Sequence, residues 1–201
     1  MMALTDGYTD VPPGKIAAVV THLEMLARPA PRPAPGREGL AVRHVPSPDA
    51  GWYRELFRRV GAEDWLWFSR LALSGSALTE IIRHPKVEIY ALTEQDRDEG
   101  LLELDFRADG ECELAFFGVT RRLIGTGAGR LLMSFAIDRV WSRPIRRFHV
   151  HTCTLDHPDA LAFYIRSGFR PFRRQVEIAD DPRLKGLLPE TAAPHVPVIR
   201  A

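Results

Sequence analysis

Three glycines alternate with small residues in Leu123-Ile-Gly-Thr-Gly-Ala-Gly-Arg130. Glycine lacks a Cβ, so several backbone N–H groups can turn toward one anion, and a helix that starts at the same place adds its positive end. Gly125, Thr126, Gly127, Ala128 and Gly129 make such a cradle, and phosphate is its natural guest. The plain alternative is a tight turn whose glycines merely permit close packing. His149 and His151 lie two apart, hence on one face of a strand, where they could bind a metal or pass protons. No third ligand stands nearby, so they read as polar wall residues and no metal is expected. Asp64-Trp-Leu-Trp-Phe-Ser-Arg70 gathers three aromatics and an arginine ahead of a helix, either as a binding wall or as a satellite of the core.

The elements that must hold these residues follow from hydrophobic period. Residues 40–45 read as a strand, and Pro46-Ser-Pro-Asp49 as the turn into an amphipathic helix carrying Trp52, Leu56, Phe57 and Val60. Ser76 caps a short helix that must end before Pro85. Residues 87–93, 101–107 and 111–119 are strands joined by the acidic turn 94–100 and by Ala108-Asp-Gly110, which makes them antiparallel neighbours. The glycine segment separates the third of these from a helix over 127–141. Leu132, Met133, Ala136, Ile137 and Val140 form its apolar face, and Arg130, Ser134 and Asp138 a polar row. A strand over 148–154, a helix over 158–167 that Asp156 and His157 can cap and Gly168 closes, and a last strand over 169–178 come next, and prolines keep the chain irregular beyond Asp180.

The first forty residues have a different character. Residues 16–26 alternate as a strand, and proline at every second position between Arg28 and Gly36 makes an extended linker. The expected organisation is an N-terminal extension over 1–37, a main domain over 38–180 and an irregular tail over 181–201. The fold class is α/β in the α+β sense: a mixed, mainly antiparallel sheet with helices on both faces. The N-terminal strand completes its own sheet or that of a second copy, so a homodimer is compatible with the pattern.

A chain of 201 residues, 45% hydrophobic and 26% charged, can bury one large core without disulfide or metal staples. The 27 basic and 26 acidic residues leave a net charge of +1, too little for the whole-protein field to draw in nucleic acid or an anionic membrane. Neither is an expected partner. Cys112 and Cys153 stand in no metal-ligand spacing and in no secreted disulfide framework. No apolar run approaches the roughly 18 to 20 residues of a membrane span. The expectation is a soluble, cytoplasmic protein.

Spacing separates the nucleotide readings of the glycine segment. A P-loop needs Lys and Ser/Thr after the glycines, whereas Arg130 and Leu131 follow here. A dinucleotide fingerprint needs its first glycine almost directly after the strand and its third where Arg130 stands. A GxGxG turn for S-adenosylmethionine follows an acidic residue, and Arg122 has the wrong charge. What remains is a strand ending in an apolar residue, a short basic excursion, a glycine turn and a long helix, an arrangement similar to the pyrophosphate arm of an acyl-CoA site. Here the sequence resembles the GNAT superfamily of acyl-CoA-dependent N-acyltransferases, whose segment runs Val-x-Pro-x-x-Arg-Gly-x-Gly-x-Gly. Aligning Val119 with that valine puts Gly125, Gly127 and Gly129 on the three glycines, with Arg121 in place of proline and Ile124 in place of arginine or glutamine. A second register, Arg122-Leu-Ile-Gly125-Thr-Gly127, also satisfies the looser pattern, so either Arg122 or the backbone alone assists the phosphates. Downstream, His157-Pro-Asp-Ala160-Leu-Ala-Phe-Tyr164-Ile-Arg-Ser-Gly168-Phe169 is similar to the superfamily's Asn-x-x-Ala-x-x-x-Tyr-x-x-x-Gly-Phe, with His157 for asparagine. The run from His151 to Pro158 resembles a bacterial branch of the superfamily.

The resemblance implies an N-acetyltransferase that moves an acetyl group from acetyl-CoA to a small-molecule amine. The sheet splays where the strand before the glycine turn meets the strand after its helix, and CoA enters the split. Tyr164 would protonate the departing thiolate, the plain alternative being a core aromatic beside Phe163 and Phe169. A phenol with a pKa near 10 holds its proton at neutral pH. Val119 hydrogen-bonds the pantetheine arm through its backbone, and Ile124 to Gly129 and His157 contact the cofactor. Glu113 is the candidate to accept the amine proton, directly or through water; alternation puts it on the side of Glu111, Ala115, Phe117 and Val119 if no bulge intervenes, and the plain alternative is a solvated strand-end carboxylate. Trp65, Trp67 and Arg70 wall the acceptor site and favour a small, partly apolar or carboxylate-bearing amine. Neither cysteine occupies a motif position, which implies direct transfer in a ternary complex. The rival reading is a catalytically silent acyl-CoA-binding regulatory module.

Overall fold

The computed structural model describes residues 5–32 and 39–200. Part of the proline-rich linker, residues 33–36, therefore lies outside the described residues. The strands are β1 (Lys15–Met25), β2 (Leu40–His44), β3 (Val87–Glu94), β4 (Arg97–Asp105), β5 (Glu111–Val119), β6 (Arg147–Cys153) and β7 (Arg170–Asp180). The helices are α1 (Ala50–Phe57), the single turn α2 (Glu63–Trp65), α3 (Gly75–Ile82), α4 (Ala128–Trp141) and α5 (Ala160–Arg166), and a π turn over Arg58–Ala62 joins α1 to α2.

All seven strands form one sheet in the order β2-β3-β4-β5-β6-β1-β7. Every neighbouring pair is antiparallel except β5 and β6, which run parallel. The mixed, mainly antiparallel sheet expected from the sequence is thus the observed one. β1 completes its own sheet: it sits between β6 and β7 and pairs with both.

Alternation along the strands feeds two cores. Leu102 and Leu104 of β4 face α4, where they meet Leu132, Ala136 and Val140 with Phe148 and Phe169. Leu101 and Ile89 face the other way, against Tyr53 and Phe57 of α1 and Leu78 and Ile82 of α3. Each such side chain taken fully out of water contributes roughly 1.5–3 kcal/mol, so both faces hold their helices firmly.

Local chemistry sets the ends. The Asp49 carboxylate accepts from the Gly51 and Trp52 amides at 2.8 and 3.0 Å and starts α1. Ser74, not Ser76, caps α3, accepting from the Ala77 amide at 3.2 Å; the two serines differ only in which lies three residues before a free amide. The β3–β4 turn is shorter than the expected 94–100. Gln95 and Asp96 both have positive φ, 49° and 64°, as a two-residue type I′ hairpin requires. Arg97, Asp98 and Glu99 read as loop because they are charged, yet they belong to β4, with Asp98 held by Arg43 at 2.9 Å. Residues 181–200 contain no helix or strand but are packed. Arg183 is buried, pairs with Asp181 at 2.7 Å and donates to the Val196 carbonyl, while Leu188 and Ala193 join the α1 core.

Candidate active site

β5 and β6 are in register only from Glu111 to Glu113, opposite Arg147 to His149, and then part. A groove of about 820 Å³ opens between them. Its walls bring together Trp65, Trp67, Arg70, Glu113, Val119, Ile124, Gly125, Gly127, Gly129, His157 and Tyr164. Thr126 and Ala128 complete the glycine turn behind this wall.

The glycine turn is built from main chain. Gly125 and Gly127 have φ of 78° and 90°, the left-handed region where a Cβ is strained, and Gly127 is the N-cap of α4. Leu131 is the first residue of the helix whose amide finds a carbonyl, that of Gly127. Among the described residues the amides of Gly125, Gly127, Gly129 and Arg130 have no partner. Free donors at a helix start form an anion site. The Arg122 side chain turns away and pairs with Glu94 at 2.6 Å and Glu99 at 3.2 Å. The cation on the groove wall beside the turn is Arg130. Among the described residues its buried Nε has no partner.

On β5 the expected alternation is interrupted. Opposite β4, Glu103 pairs with Phe116 and Leu104 with Leu114, so Ala115 is an extra, bulged residue. A bulge exchanges the faces beyond it. Phe117 and Val119 consequently face the α4 side, where Phe117 stacks on Phe163 at 5.6 Å and meets Tyr164 at 6.2 Å. Glu113 lies on the opposite face from Val119, the face of Phe116 and of Gly118, whose backbone lies against Trp67. The placement of Glu113 beside Val119 is therefore corrected. Glu113 lies 3.7 Å from the Nδ1 of His151, and His149 is 3.6 Å from Glu111. Burial pushes the His149 imidazole below its usual range.

Tyr164 is nearly inaccessible, and its ring packs on Phe163 and Phe169. Burial, reinforced by the Asp156 charge, pushes its phenol well above the ordinary tyrosine value. Among the described residues its hydroxyl has no hydrogen-bond partner.

The far wall is built from side chains. Trp67 lies flat on Gly61, where a Cβ would come within 2.0 Å of its ring, and its Nε1 donates to Asp156 at 3.0 Å. Asp156 also accepts from the Thr152 hydroxyl and the Cys153 amide. It was expected to cap α5. Instead it ties the β6–α5 turn to the Trp67 loop. His157 accepts from the Asp159 amide and meets Trp65 edge-on at 5.0 Å. Arg70 donates to the fully buried Glu103 at 2.6 Å and lies over the Phe116 ring, and Glu103 also accepts from the Tyr53 hydroxyl. The carboxylate that Arg70 was expected to seek in an acceptor is thus supplied from within the protein.

The sequence profile of the Acetyltransferase (GNAT) family matches residues 52–169. This chain belongs to the GNAT family. The matched segment runs from α1 to the start of β7 and contains the whole groove wall from Trp65 to Tyr164, while β1 lies outside it. None of the curated proteins matches the chain. Solved structures share the GNAT fold at low identity. A GCN5-related N-acetyltransferase from Sphaerobacter thermophilus is 19% identical with a TM-score of 0.59, over 85% of this chain and 53% of that one. A putative acetyltransferase of the GNAT family from Novosphingobium aromaticivorans is 16% identical with a TM-score of 0.53, over 84% and 67%. An IAA acetyltransferase from Bacillus cereus is 17% identical with a TM-score of 0.50, over 67% and 79%. The chain spans about half the length of the Sphaerobacter protein.

Within the GNAT domain, three working residues escaped the sequence reading. Glu103 looked like one more charged strand residue, Asp156 like a helix cap and Ala115 like an ordinary step of alternation. Each takes its role from a partner distant in sequence. Among the described residues no group of three or more His, Cys, Asp or Glu is arranged for a metal, and no helix is long and apolar enough to cross a membrane.

Proposed function

We propose that this GNAT protein transfers an acetyl group from acetyl-CoA to the amine of a small, partly apolar acceptor. The observation that carries the reading is the parting of β5 and β6 beside a glycine turn with four amides that have no partner among the described residues. Together they suit a long donor with its pyrophosphate on the turn and its thioester deep in the groove. The turn's amides and Arg130 would hold the phosphates, since Arg122 is committed to Glu94 and Glu99. The acceptor would enter from the Trp65–Arg70 wall, on the face that carries Glu113.

The reaction forms a C–N bond and breaks the C–S bond of the thioester. The amine proton leaves toward Glu113, with His151 beside it, and the sulfur departs next to the Tyr164 hydroxyl. Burial keeps Tyr164 protonated, so it stays a donor to the developing thiolate across the working pH range. Cys153 lies on the groove wall, but burial and then the Asp156 charge raise its thiol to about 11, which leaves little thiolate for attack. Direct transfer in a ternary complex follows. Cys153→Ala is expected to keep turnover; loss of turnover with acetyl-CoA binding intact would instead favour an acyl-enzyme.

Equilibrium binding of acetyl-CoA and CoA release across an amine panel test the whole reading. Binding with release from at least one amine supports transfer. Binding with no release across the panel favours the silent regulatory module, to which the off-pattern Ile124 and His157 belong equally well.

A further inference from the structure

β7 ends the sheet. β1 holds one of its edges, and no strand among the described residues lies on the other. The strand is 11 residues long, and Val176 and Ile178 are about half exposed. An edge with free main-chain donors and acceptors is a template for another strand.

The charges along it are ordered. Arg173 and Arg174 come first, Glu177 follows, and among the described residues neither Arg173 nor Glu177 has an ion-pair partner. A two-fold axis through Gln175 would pair β7 antiparallel with the β7 of a second copy. Arg173 then stands opposite Glu177 of the partner subunit, and Glu177 opposite the partner's Arg173. Directly opposed residues share a face, so each pair can meet. Both lie in the stretch from Arg173 to Asp180, which keeps unbroken register with β1.

Neighbouring registers lose this match. An axis at Arg174 opposes two arginines, and an axis at Glu177 opposes two carboxylates. An axis at Val176 sets Arg173 against Ala179 and Glu177 against Gln175. Charge therefore selects one register.

We propose that the protein forms a two-fold dimer through β7, with Gln175 on the axis and the two sheets joined into one. Glu177 also lies on the groove wall, so the partner's Arg173 stands at the rim of the acceptor side and helps set the charge there.

Sedimentation of the full chain tests this. The wild type is expected to dimerise. Arg173→Glu and Glu177→Arg should each raise the dimer Kd at least about tenfold, and the double charge swap should restore it, which also shows that neither variant fails by misfolding. The axis is tested by cross-linking in a Cys153→Ala background. Opposed Cα atoms about 4.5–5.5 Å apart are within disulfide reach, so Gln175→Cys should form a covalent dimer under mild oxidation, and Val176→Cys should not. A monomeric wild type, a dimer indifferent to both charge reversals, or cross-linking at 176 instead of 175 overturns the proposal.

Discussion

At the glycine turn the groove wall is main chain: amides of Gly125, Gly127, Gly129 and Arg130, held by a left-handed Gly127 and the start of α4. At the Trp65–Arg70 end it is side chain, and each group is held by a partner far away in sequence, Trp67 by Asp156 and Arg70 by Glu103. The contrast separates the two tasks of a transferase. A site made of amides serves any ligand with the right phosphate geometry. A site made of locked side chains can be altered one residue at a time, and in the proposed function acceptor choice would belong there.

Substitutions can break or sharpen this contrast. The largest effect is expected at Tyr164, between the two ends. Tyr164→Phe keeps the packed ring and removes the donor, so single-turnover rates should fall roughly 100 to 10,000-fold while acetyl-CoA affinity barely moves. A full rate when chemistry is limiting would reassign Tyr164 to the core alone.

Next comes Glu103→Ala, which leaves the Arg70 charge buried without its carboxylate, a loss of about 3–5 kcal/mol. Denaturant unfolding should register it. The turn is remote in chain terms, so any folded fraction should still bind acetyl-CoA normally, and loss of both together would mean that the two ends are not independent.

Gly127→Val acts on the other end. A β-branched residue at φ 90° strains the turn and crowds the anion site, so the acetyl-CoA Kd should rise by about two orders of magnitude, the equivalent of roughly 2.8 kcal/mol. Calorimetry on folded protein measures it, and an unchanged Kd would remove the turn from the site. The smallest effect is expected for Arg122→Ala. Its guanidinium serves Glu94 and Glu99, so acetyl-CoA affinity should stay within about threefold, about 0.65 kcal/mol, and a larger loss would return Arg122 to the phosphates.

The same contrast explains what could be read in advance. The glycine turn, α4 and the run from His157 to Phe169 are written in local residue types and spacing, because backbone geometry depends on neighbours in the chain, whereas the splay of the sheet, a matter of how β5 and β6 pair, followed only from the resemblance to the superfamily. The β3–β4 hairpin was misjudged because the charges of Arg97, Asp98 and Glu99 imitate a loop, whereas the segment pairs with β3, with Asp98 held by Arg43 of β2 and Glu99 by Thr120 and Arg122 after β5. The side of Glu113 was misjudged because the bulge at Ala115 leaves no mark in composition. Phe116 and Phe117 are adjacent aromatics that serve opposite cores, so hydrophobicity alone is silent about which faces the groove. Arg70 looked like a free cation because Glu103 lies 33 residues away.

The position of β1 carries a consequence for how the molecule is made. It is synthesised before every other strand, yet both of its neighbours are among the last: the Val19 amide bonds the Thr154 hydroxyl across 135 residues, and Lys15 bonds Asp180 across 165. Closing such distant pairs is slow, since chain entropy is lost before contacts return it. The nascent chain must therefore hold an apolar strand in waiting while the groove-bearing middle assembles without it, with a gap between β6 and β7. That gap is a slot of fixed register, and a separately supplied peptide with the β1 sequence is the natural piece to fill it.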